Sequence, residues 1–218
     1  VSAGINFVLY YKLLAGRIRS IVQDTELQVY LGTFVVATLA IAVALNGEYF
    51  ERFGTSLRYA AFQAASILTT TGYATDDFAV WPVAAQVVLF TLMFVGGSSG
   101  STGGGIKVIR VTTMLKQGWN ELHYLVYPRG VFSIRLNGER LKKDIVYAIS
   151  GFVTLYIFLL LLTAMVVGFA GNDIVTSFST ALVTLGNIGP GFGRIGPTLN
   201  YAFFQDWLKA YLTVVMML

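Results

Sequence analysis

The stretch TTTGYATDDFAVWP, residues 69–82, decides the fold. It follows Thr55 to Leu68, an Ala-rich, moderately apolar segment broken by Gln63 and Ser66. That segment is shorter than the roughly 20 apolar residues a spanning helix needs. Gly54 precedes it, and Thr55 or Ser56 is expected to cap its start. It runs into Thr69-Thr70-Thr71-Gly72-Tyr73, where β-branched residues and glycine disfavour helix. Asp76, Asp77 and Pro82 then turn the chain back. A short helix that enters a membrane and returns as a loop is the expectation.

The flanks agree. Upstream, Leu27 to Leu45 is a nearly continuous apolar run ended by Asn46-Gly47. Downstream, an apolar run starting near Val80 meets GGSSGSTGGG, residues 96–105, at about mid-membrane depth. After a basic connector the order recurs: an apolar run from Ile145 to Ala170, a turn at Gly171-Asn172-Asp173, a short segment from Ile174 to Leu185, and the loop Gly186-Asn187-Ile188-Gly189-Pro190-Gly191. A last apolar run starts near Tyr201. Shifting the chain by 117 residues sets Tyr30 on Tyr147, Ala64 on Ala181 and Gly72 on Gly189. The expected fold is therefore an all-α integral membrane protein of tandem helix–pore-loop–helix repeats, with the second membrane helix of the first repeat broken by the Gly-rich loop. Residues 27–118 and 145–218 are the two repeats, and 119–144 a cytoplasmic basic connector. Residues 1–26 are read as a helix tail, residues 1–16, plus a cytoplasmic linker. The ends look like cuts in a longer polypeptide.

Composition supports a bilayer as solvent. The 218 residues are 56% hydrophobic and 12% charged, with a mean hydropathy of +0.69, against about 25% charged in soluble domains. There is no cysteine and a single histidine, His123, so thiolate and two-histidine metal sites are excluded. The net charge of +4 does not point to nucleic acid. Eleven of the fifteen basic residues fall in two groups, Lys12 to Arg19 and Lys107 to Lys143, both bordering apolar runs. Such segments face the cytoplasm. The turns carrying Glu48, Glu51, Asp76, Asp77 and Asp173 then face outward.

Unsatisfied backbone costs several kcal/mol in hydrocarbon, so non-helical backbone at membrane depth lines a water-filled path or is buried in protein. Carbonyl oxygens of an extended loop can replace the hydration shell of a potassium ion, and glycine permits the backbone angles such a loop needs. The candidate carbonyls are those of Thr70 and Thr71 beside Gly72, and of Asn187 and Ile188 beside Gly189. The bland alternative is a plain turn between helices; two loops at matching places argue against it. Gly96, Gly97, Gly100, Gly103, Gly104 and Gly105 form a stretch that cannot hold a stable helix. It can act as a gate below the filter or allow close helix packing. A phosphate-binding loop fits poorly, because Lys107 is followed by Val108 rather than Ser or Thr. Asp76 and Asp77 either concentrate cations at the outer mouth or serve the turn. The basic residues at 129–143 mark topology or meet anionic lipid or a partner.

Three motifs, TTTGYATDDFAVWP (69–82), MFVGGSSGSTGGGIKVIR (93–110) and LGNIGPGFG (185–193), resemble the Trk/Ktr/HKT superfamily of potassium uptake proteins, most closely its TrkH-type membrane subunit. The resemblance covers essentially the whole chain. It implies four repeats around one pore, of which this chain carries the third and fourth. It implies filter carbonyls from Thr70, Thr71, Asn187 and Ile188, filter glycines Gly72 and Gly189, and an intramembrane gating loop at 96–105. It also implies a homodimer in a bacterial inner membrane, seated on a cytosolic TrkA-type ring that carries the regulatory nucleotide. The chain itself would need no cofactor and perform no enzymatic reaction, with potassium as the transported ion. Asn187 and Pro190 depart from the Thr-rich first loop. Gated passive movement is the expected function. Symport coupled to Na⁺ or H⁺ is the rival, disfavoured because no acidic residue lies within a spanning run. A non-conducting assembly subunit is the alternative of another class.

Overall fold

The computed structural model describes residues 1–130 and 133–217. The chain opens with a 3-10 turn at Ser2–Gly4, followed by α1 (Phe7–Leu14). Residues 1–16 are thus not one helix tail. The Asn6 side chain accepts from the Val8 amide and starts a new helix, while Gly4 packs so tightly under Tyr30 that a Cβ there would lie 2.3 Å from its hydroxyl. The expected linker contains α2 (Ile18–Val22), and α3 (Thr25–Leu45) begins where Asp24 accepts from the Leu27 amide. The short helix α4 runs Phe53–Leu68. Neither Thr55 nor Ser56 caps it: both amides already bond to the Arg52 carbonyl, which starts the helix two residues earlier.

A 3-10 turn at Phe78–Val80 leads into α5 (Val83–Phe94), and α6 (Val108–Val126) resumes after a non-helical stretch. α6 passes through residue 118 without a break. The connector then forms a small antiparallel hairpin, β1 (Arg135–Leu136) and β2 (Glu139–Arg140), in a chain whose other regular elements, among the described residues, are helical. Its turn is Asn137-Gly138, both at positive φ (50° and 83°), the pattern of a type I′ hairpin. Asn137 also donates to Asp24 and accepts from the Thr25 amide, tying the hairpin to the start of α3. The second unit follows as α7 (Lys143–Phe169), α8 (Ile174–Leu185) and α9 (Asp206–Val215).

α3 packs on α4 and α5, and α7 on α8, while α5 meets α8 between the units. Aromatic contacts strengthen that junction: the Phe192 ring lies 5.2 Å from Phe78 and 6.2 Å from Phe90. Tyr30, Ile41, Leu45, Ile67, Leu89 and Leu182 are fully buried. α3 and α7 are long and apolar enough to cross a membrane, and only 28% of each candidate span is buried. The core helix of a soluble protein would be mostly covered. Here Val36, Leu39 and Val43 on α3, and Phe158, Leu161 and Met165 on α7, face outward instead, the arrangement expected of helices whose solvent is lipid or further protein.

Candidate functional site

α4 and α8 end in the same way, residue for residue. The Thr70 amide bonds to the Ile67 carbonyl and the Thr71 amide to that of Ser66; the Asn187 amide bonds to Thr184 and the Ile188 amide to Val183. This crossed pair is a Schellman motif, whose left-handed residue is usually glycine or asparagine. Asn187 has φ 52°, a conformation asparagine tolerates, but Thr70 has φ 54°, unusual for a β-branched residue. Two residues on, Gly72 (φ 77°) and Gly189 (φ 105°) again need the positive region. The two loops also touch. A Cβ on Gly72 would sit 2.0 Å from the Ile188 carbonyl oxygen, so only glycine fits. Gly189 has open space around it, and its carbonyl accepts from the Tyr201 hydroxyl at 2.5 Å.

The Gly-rich stretch lies beneath both loops. It folds back on itself: the Gly96 amide bonds to the Ile106 carbonyl at 2.8 Å, and the Val108 amide to Gly97 at 3.2 Å. Gly100 and Gly105 take positive φ. A Cβ on Gly96 would meet the Gly104 carbonyl at 1.9 Å, and one on Gly104 the Gly186 carbonyl at 2.2 Å. Gly103 approaches the Thr69 carbonyl, and the Gly104 amide donates to Thr70 Oγ1 at 2.8 Å. Lys107 Nζ donates to the Gly103 carbonyl. On the opposite side the N-terminal turn straps the loop, with the Ser98 amide donating to Gly4 O and the Phe7 amide to Gly100 O. The Glu26 carboxylate, buried at 8% exposure, accepts from the Ser99 amide at 2.6 Å. In the second unit, Asn187 Nδ2 donates to the Met216 carbonyl, at the end of α9.

On the acidic side, Asp76, Asp77 and Asp173 are engaged in structure. Asp76 accepts from Trp81 Nε1 at 2.8 Å, and Asp77 caps the 3-10 turn and accepts from Thr198 Oγ1. Partial burial, followed by the charge and hydrogen bond of Asp76, pushes the Tyr49 hydroxyl above its ordinary range. Asp173 caps α8, and the Thr176 side chain and amide hold its carboxyl below the usual range.

With two matched loops over one glycine-rich break in view, comparison with known proteins is decisive. The sequence model of the TrkH family, described as a cation transport protein, matches residues 20–218. The chain belongs to the TrkH family. The Trk system potassium uptake protein TrkH of Salmonella typhimurium is 35% identical over 99% of this chain and 44% of its own length. TrkI of Halomonas elongata is 36% identical over 97% of the chain, and TrkG of Escherichia coli 30% over 98%. The crystal structure of the potassium transporter TrkH from Vibrio parahaemolyticus superposes with a TM-score of 0.90 at 32% identity, covering 99% of this chain and 46% of that one. The chain spans less than half the length of these TrkH relatives.

Glu26 and Gly4 escaped the sequence reading. Glu26 falls within a polar run that reads as linker, and only folding carries the loop, 73 residues away, onto it. Tyr201 likewise looks like the start of an apolar run rather than a partner for Gly189.

Proposed function

We propose that this chain contributes two quarters of a carbonyl-lined potassium filter and the glycine-rich gate beneath it. The observation that carries the proposal is the shared backbone of the two loops: left-handed Thr70 and Asn187, then positive-φ Gly72 and Gly189, spaced identically after two short helices. In this reading the carbonyls of Thr70, Thr71, Asn187 and Ile188 replace water around K⁺. Two such loops cannot surround an ion, so the remainder of the ring comes from further repeats of a longer protein. The loop at 96–105 lies under both filter strands, where folding inward blocks the path and displacement clears it. The potassium uptake named for the relatives supports K⁺ as the transported ion. Membership of the family also supports a multi-pass position in the bacterial inner membrane, a second copy as partner, and control by a cytosolic TrkA-type ring that binds nucleotide.

The test is rubidium or potassium flux through the full-length protein in liposomes. Wild-type protein is expected to conduct. Gly72→Val, which drives a branched side chain into the Ile188 carbonyl, is expected to abolish flux or K⁺ selectivity, and unchanged selectivity would sink the filter assignment. Deleting part of 96–105 is expected to raise flux. Reversal potentials that ignore imposed Na⁺ and H⁺ gradients separate passive movement from symport, and absence of any flux would leave a non-conducting assembly subunit as the better description.

A further inference from the structure

Six of the ten loop residues are glycines, and its hydroxyls bond within the stretch or to the N-terminal turn, Ser101 Oγ to the Ser98 carbonyl and Thr102 Oγ1 to the Ala3 carbonyl, so contacts from neighbours must help set its position. On the filter side, Thr70 Oγ1 accepts from the Gly104 amide. On the far side stands Glu26. Its carboxylate is buried, projects from the first turn of α3, and accepts from the Ser99 amide at 2.6 Å. Asp24 and Lys107 are the charged groups acting on it. One carboxylate thus joins the start of α3 to the middle of the loop. Lys107 does not compete for the role, since its ammonium donates to the Gly103 carbonyl within the loop.

We propose that Glu26 is the latch of the loop, a positioning residue whose carboxylate holds residues 98–100 against α3 and so keeps the path under the filter closed. The proposal rests on the reading of 96–105 as a gate. Hydrogen bonds to an ionised acceptor are about twice as strong as neutral ones, and those buried from water are strengthened further. A carboxylate aimed at a backbone amide is an acceptor that can fix a segment so rich in glycine. Opening then requires the Ser99 amide to leave Glu26 and find water or another acceptor.

The experiment uses the full-length protein in liposomes, without activating partner, with rubidium uptake as the readout. Glu26→Ala is expected to raise basal uptake by on the order of tenfold, the effect of losing one charge-assisted hydrogen bond in the closed state. Glu26→Gln keeps an oxygen that accepts from Ser99, and is expected to fall between wild type and Glu26→Ala with K⁺ selectivity unchanged. This graded order is a result that a merely structural glutamate would not produce. Should Glu26→Ala fail to fold, the isosteric Glu26→Gln still reports, together with maleimide labelling of Ser99→Cys, which is expected to speed up when the latch is weakened. Uptake at wild-type level in both variants, while partial deletion of 96–105 raises it, overturns the latch and leaves the gate standing. If the deletion itself leaves uptake unchanged, the gate fails and the latch falls with it.

Discussion

Gly72 and Gly189 hold matching positions but meet different surroundings. Both need positive φ, and alanine in such a conformation costs about 1–3 kcal/mol. Gly72 carries a second constraint, because the space a Cβ would fill is occupied by the Ile188 carbonyl, while nothing lies within 4 Å of where a Cβ on Gly189 would sit. Gly189→Ala is therefore expected to lower thermal stability yet retain K⁺ selectivity, and Gly72→Ala to lose selectivity; ion competition in a flux assay distinguishes them. Thr70 makes the complementary case. Asparagine suits a left-handed residue better than threonine does, so Thr70→Asn relieves backbone strain but replaces the hydroxyl that accepts from Gly104. Loop positions are the part of the site that the sequence showed best, since Gly and Asn announce positive φ. Thr70 announces nothing of the kind, and its conformation follows from the Schellman closure of α4.

At the scale of elements, α8 coincides with the segment read from the sequence, Ile174 to Leu185, because Asp173 both ends the preceding turn and caps the helix. The start of α4 was misplaced for the opposite reason: no side chain caps it, and the helix begins from backbone geometry at Arg52. The hairpin was legible only locally, in Asn137-Gly138, and was lost inside a strongly basic run. The Asp173 cap yields a pH prediction. Its folded pKa lies below the ordinary carboxylate range, so its stabilisation is present above the unfolded pKa and is lost as pH falls through the folded one. Asp173→Asn keeps an acceptor for the Thr176 amide without the charge. The wild-type advantage in unfolding temperature over this variant is expected to shrink below about pH 4, whereas Asp173→Ala forfeits about 1 kcal/mol at neutral pH. The exposed site makes the charge contribution small and sensitive to salt.

For the molecule as a whole, the order of the main helices was readable because apolar length and glycine placement are properties of the chain itself. What joins the units was not. The Phe78, Phe90 and Phe192 contacts, the strap from Gly4 and Phe7, and the Glu26 carboxylate all pair residues far apart in sequence. The two units also differ in a dimension that the repeat alone would not predict. At 1.5 Å per residue, α3 with 21 residues is about 31 Å long, and α7 with 27 residues about 40 Å. The hydrocarbon core of a bilayer is about 30 Å thick. α3 matches it when upright. α7 exceeds it and must lean or carry one end into the headgroups.

That inequality predicts that the two helices respond differently to membrane thickness. Thinner lipid increases the tilt demanded of α7 while asking little of α3, and thicker lipid lets α7 stand. Since α8 packs directly on α7 and leads through Gly186 into the loop at Asn187, leaning of α7 acts first on that loop. Reconstitution in a series of lipids of increasing acyl length is therefore expected to change flux monotonically, and shortening α7 by one turn is expected to move that dependence toward thinner bilayers.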